Sequence, residues 1–84
     1  MRSHLVLIKI ARDEEAGVWY VEHSDVPGLR AEAETADALM GRLPDLLTDL
    51  LEENGAELGL ASAGEIVVEV IASHAMKLQV PEAA

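Results

Sequence analysis

The chain has 84 residues, half of them apolar, with sixteen acids against six bases for a formal charge of −10. That length holds one domain with one modest core, and the apolar content excludes a disordered acidic tail. Six scattered cations, Arg2, Lys9, Arg12, Arg30, Arg42 and Lys77, exclude the clustered basic surface that nucleic acid or an anionic membrane requires.

Taken in chain order, His4 to Arg12 is a short Val- and Ile-rich run that predicts a strand. The polar segment Asp13-Glu14-Glu15-Ala16-Gly17 predicts a turn, and Val18 to His23 a second strand that closes a hairpin. Val26-Pro27-Gly28-Leu29 carries the signature of a type II turn, with Pro setting φ at the second position and Gly supplying the positive φ at the third. A third short strand, near Leu29 to Ala33, is expected beside the second.

Thr35 suits a helix N-cap, and Asp37 in the first turn complements the helix dipole. Leu39, Met40, Leu43, Leu46, Leu47, Leu50 and Leu51 then recur at helical spacing as one apolar stripe, up to a stop at Asn54-Gly55. Pro44 conflicts with that helix, because it lacks the N–H that would bond the carbonyl of Met40, and predicts a kink or a break. Ala56 to Gly64 reads as a loop. Glu65 to Ser73 reads as a fourth strand, and the alternation of Met76, Leu78 and Val80 as an edge strand or a frayed tail. The fold class is therefore α+β, in the order β-β-β-α-β. The core spans about 4–73 in a single domain of 1–84, and the helix serves as a right-handed crossover that makes the last strand parallel to a central first strand.

Alternation then divides the sheet. With Arg12 opposite Gly17, one face carries Val6, Ile8, Ile10, Trp19, Val21, Ile66, Val68 and Val70, all apolar, to be packed under the leucine stripe. The other carries Leu5, Leu7, Lys9, Tyr20, Glu22, Val67, Glu69 and Ile71, half apolar and half charged. One helix cannot cover both faces. Leu5, Leu7, Tyr20, Val67 and Ile71 are accordingly the candidate partner or homodimer interface, unless the C-terminal tail folds back over them.

No constellation of enzyme chemistry is present. There is no cysteine, no Gly-rich phosphate loop and no nucleophile with a base at useful spacing. Neither a cofactor nor a metal site is expected. His4 and His23 read as near neighbours, but His74 falls at the opposite edge of the sheet and supplies no third ligand. The cluster Asp13-Glu14-Glu15 belongs to a solvated turn. A metal-dependent nuclease needs carboxylates on the central strand, which has only Lys9 as a charge in its middle. Ser3, Ser24, Ser62 and Ser73 fall at element ends, where turns and caps account for them. With no apolar run near ~20 residues, the expected location is cytoplasmic.

The ordered combination from Asp13-Glu14-Glu15-Ala16-Gly17-Val18-Trp19-Tyr20 through Asp25-Val26-Pro27-Gly28-Leu29, with the acidic stretch Glu32 to Asp37 and the helix containing Leu43-Pro44, resembles the HicB-like antitoxin family. More narrowly it resembles a small branch filed as a domain of unknown function. Asp25, Pro27 and Gly28 form the motif turn. The resemblance covers about Leu5 to Gly55, with a final strand at Glu65 to Ser73. It implies a degenerate RNase-H-like sheet without catalytic acids, and a partner that is a small basic mRNA-cleaving toxin of the HicA type. The usual C-terminal DNA-binding element does not carry over, since eleven residues follow Ser73. A free-standing homo-oligomer binding a small ligand or metal is the alternative.

Overall fold

The computed structural model describes residues 3–55 and 65–81. The elements are β1 (Ser3–Asp13), β2 (Val18–Ser24), β3 (Glu32–Ala33), α1 (Ala36–Asn54) and β4 (Glu65–Ser73). They form one four-stranded mixed sheet in the order β3-β2-β1-β4. β1 is central, antiparallel to β2 and parallel to β4, as the crossover helix requires. The loop expected at Ala56 to Gly64 lies outside the described residues. Among those described, no helix is long and apolar enough to cross a membrane.

The hairpin register differs from expectation. Arg12 pairs with Trp19 and Asp13 with Val18, so Arg12 does not face Gly17. The turn is built by Asp13, whose carboxylate accepts from the amides of Glu15 and Ala16, while its carbonyl accepts from Gly17 at φ 69°. This slides each strand by one residue, and two such slips preserve the parity of the pleat. Ile10 and Val21 still share the helix side, and Ala11 and Tyr20 the other.

A bulge follows. Ile10 pairs with Val21 but Lys9 pairs with His23, so Glu22 is the extra residue on β2. Glu22 and His23 both stand opposite Lys9, and the Lys9 ammonium lies 3.1 Å from the Glu22 carboxylate. Beyond the bulge, Ser24 pairs with Ile8, its hydroxyl accepting from the Val26 amide at 3.0 Å.

The chain then turns at Val26-Pro27-Gly28-Leu29 with Gly28 at φ 86°, as a type II turn demands. Val26 and Leu29 on either side of the turn are buried. The third strand is shorter than expected, with two residues in the ladder, extended by a bond from the Val21 amide to the Ala31 carbonyl.

Thr35 caps α1, its hydroxyl accepting from the Ala38 amide at 3.0 Å. The helix runs unbroken through Pro44 to Asn54. Pro44 and Met40 are both exposed residues, so the turn where the Met40 carbonyl lacks its amide partner lies at the surface of the helix. Gly55 follows in a right-handed conformation and donates to Leu51 at 2.8 Å, so the helix stops where expected without a left-handed residue. Leu39, Leu43 and Leu47 are the buried rungs of the leucine stripe, packed on Val6, Ile8 and Ile10 of β1 and on Val26 and Leu29 of the turn.

Two outcomes follow from this packing. Leu39→Ala removes a side chain with no solvent exposure and is expected to cost about 2–5 kcal/mol, read as a lowered denaturation midpoint. Thr35→Ala is expected to cost about 1 kcal/mol by the same measurement, with the sheet intact by circular dichroism.

Candidate functional site

The second face of the sheet is built by β1, β2 and β4. Leu5 pairs with Val67, Leu7 with Glu69, Lys9 with Ile71 and Ala11 with Ser73, so these residues share one side, joined across β2 by Tyr20. Leu5 is 63% exposed, Val67 is exposed opposite it, and Ile71 is exposed further along, opposite Lys9. Leu7 and Tyr20 are half-buried, and only the small Ala11 is buried on this side. All five candidate interface residues therefore fall on the expected face, with Leu5 and Val67 an exposed apolar pair across β1 and β4 and Ile71 further along β4, beyond Glu69. The charges on this face include Lys9 paired with Glu22, and Glu32, Glu65 and Glu69, which make no ion pair among the described residues.

The tail does not cover this face. After Ser73 the described residues 74–81 carry no regular secondary structure, and Met76, Leu78 and Val80 are 80–84% exposed. The molecule extends 64 Å along its longest axis.

The motif turn has a structural role that its sequence does not announce. The Asp25 amide donates to the Leu7 carbonyl at 3.0 Å, while an oxygen of its carboxylate accepts from the Leu7 amide at 2.9 Å. A side chain thus completes the ladder where β2 has left it. The other carboxylate oxygen lies 3.4 Å from His23. Pro27 and Gly28 shape the turn that follows; Gly28 lies against Leu50 of α1, where an added Cβ would come within 3.7 Å.

The histidines do not converge. His4 stands in register with Ile66, and His23 is opposite Lys9, five residues further along β1 and about 16 Å away, so they are not the near neighbours expected. The bulge and the register slip carry β2 toward the far end of β1. Among the described residues no three His, Cys, Asp or Glu side chains come together to hold a metal.

His74 instead joins a node at the hairpin end of the sheet. It meets the Glu14 carboxylate at 2.7 Å and packs edge-on against Trp19 with ring centroids 5.7 Å apart, while Arg12 reaches Glu14 at 3.6 Å. Both contacts lie at the surface, with Glu14 62% exposed, so the node orients the end of β4 more than it stabilises the fold. Sequence reading could not find it, because it depends on the parallel register that sets Ser73 beside Ala11.

A second apolar feature lies on the helix side. α1 packs toward β2 and β3, leaving an open cleft of about 370 Å³ against β4, floored by Ile66, Val68 and Val70 and walled by Met40, Leu43, Pro44, Leu47 and Leu51. Val68, expected beneath the helix, is 38% exposed there.

Comparison with known proteins matches this geometry without adding a function. The crystal structure of the hypothetical protein TTHA1013 from the extremely thermophilic bacterium Thermus thermophilus is similar at 34% identity and a TM-score of 0.70. The match covers 88% of this chain and 99% of that one. No curated protein matches. Residues 5–80 match the family described as a domain of unknown function (DUF1902), a span that takes in both the sheet and the tail, and the chain belongs to that family.

Proposed function

We propose that the chain is a non-catalytic protein-binding module of the HicB-like antitoxin type, whose second sheet face docks a small basic partner, an mRNA-cleaving toxin of the HicA type. The observation that carries this reading is the set of exposed apolar side chains on the second face, Leu5 and Val67 as a cross-strand pair and Ile71 further along β4, with no described element over them. An antiparallel-type sheet that ends in water presents polar residues outward, and an apolar strip there is the ordinary mark of an interaction surface.

Charge supports a basic partner. The field of a chain at −10 speeds encounter with a positive surface, and on this face Glu32, Glu65 and Glu69 are exposed and make no ion pair among the described residues. On the helix side the strands β1 and β2 are committed to the core, so the second face is where a partner reaches them without disturbing the fold.

The test is complex formation with the small basic protein encoded beside this chain, followed by light-scattering mass and by protection of RNA from that protein. Wild-type chain is expected to form a defined complex and to suppress cleavage. Leu5→Asp is expected to weaken the complex by about tenfold or more while melting within a few degrees of wild type, because Leu5 is 63% exposed. A Leu5→Asp chain that fails to fold would place Leu5 in the core and remove the face assignment. A wild-type chain that neither binds nor protects would remove the antitoxin reading.

A further inference from the structure

We propose that two copies of this chain associate by exchanging their tails, residues 74–81 of each adding an antiparallel strand to the free edge of β4 of the other. This surface is the edge of β4 with the helix-side cleft, meets the second sheet face only along that edge, at Glu69, and does not depend on the antitoxin reading.

β4 is an edge strand of nine residues, rich in Val and Ile, with neither Pro nor a bulge along it. Such an edge presents unpaired amides and carbonyls, and proteins ordinarily cover or blunt it. Beside it lies the apolar cleft under α1, whose floor is Ile66, Val68 and Val70. What would fill that cleft is a strand with apolar residues at every second position. The tail supplies one in Met76, Leu78 and Val80, all more than three-quarters exposed.

The tail cannot readily return to its own β4. His74 is held by Glu14 and Trp19 at the end of the strand, and Ser73-His74-Ala75-Met76 contains no Gly, Asn or Asp of the kind that a two-residue hairpin turn needs. A second copy has no such restriction.

The register follows from symmetry. If a two-fold axis passes through Ser73, each residue of the run from Glu65 to Pro81 pairs with the one whose number makes 146 with its own. Met76 then falls opposite Val70 of the second copy, Leu78 opposite Val68 and Val80 opposite Ile66. All six have the same parity as His74, which lies on the Trp19 side, so they meet on the helix side at the cleft. On the other side Lys77 falls opposite Glu69 of the second copy, an opposite-charge cross-strand pair. The tail is the stretch suited to this, since residues 74–81 contain one Lys and no acid in a chain otherwise strongly acidic. Pro81 comes last, opposite Glu65, where a missing amide matters least. The exchange is reciprocal and closes after two copies, so it yields a dimer with a continuous eight-stranded sheet and not a fibre.

Light scattering and sedimentation of the full chain test this directly. Wild type is expected at twice the 9.0 kDa of one chain. Leu78→Asp is expected to be a folded monomer, since Leu78 is 84% exposed within one copy, and Leu5→Asp is expected to remain a dimer. Lys77→Glu is expected to weaken association by about tenfold through like charges facing each other in both halves, and adding Glu69→Lys to restore it. Ser73→Cys, in a chain with no other cysteine, is expected to form a disulfide-linked dimer under mild oxidation. A wild-type monomer at high micromolar concentration would overturn the proposal. So would a dimer that survives Leu78→Asp, one lost with Leu5→Asp, or a double charge exchange that fails to restore association.

Discussion

The parallel pairing of β1 with β4 is the constraint from which the rest of the molecule follows. Parallel neighbours cannot be joined by a tight turn, so the chain must leave the sheet and return across one face, and here α1 lies on that route. One helix buries one face. The core is consequently a single layer of Leu39, Leu43 and Leu47 on Val6, Ile8 and Ile10, and the reverse of the sheet has no described element over it. The same pairing puts β1 in the centre and β4 at an open edge, so the apolar surfaces left over all involve β4.

Where β2 departs from β1, the ladder is completed by a side chain. The bulge at Glu22 and the reciprocal bonds between Asp25 and Leu7 carry the strand into the Pro27-Gly28 turn, and that turn buries Val26 and Leu29 beneath the helix. The residues of the motif turn, Asp25, Pro27 and Gly28, are thus part of the framework. The acidic turn has a similar explanation: Asp13 shapes it, and Glu14 steadies the end of β4 through His74. These acids have structural work that accounts for their positions, leaving the overall charge as the feature that bears on partners.

Two surfaces with different chemistry remain. The second face mixes Leu5, Val67 and Ile71 with charged residues, as suits a partner that also exists free in water. The cleft and edge at β4 are more apolar and are matched in spacing by the chain's own tail, as suits a lasting association between identical copies. Both belong to the span over which the chain matches its family, residues 5–80.

Local chemistry was sufficient to read the elements, the type II turn, the Thr35 cap and the division of the sheet into an apolar and a mixed face, because each rests on residue type and spacing within a few positions. The face assignment survived a wrong hairpin register only because the slip was even, which conserves the alternation of side chains. The tertiary structure decided what depends on distant residues meeting. It kept Pro44 in an unbroken helix, at an exposed position, and it separated His4 from His23 along β1. It also set α1 toward β2 and β3, opening the cleft beside β4. Periodicity shows which side of a helix is apolar, but not where on the sheet that side comes to rest. That position is settled by packing against the turn at Val26 and Leu29, and it is what leaves β4 uncovered.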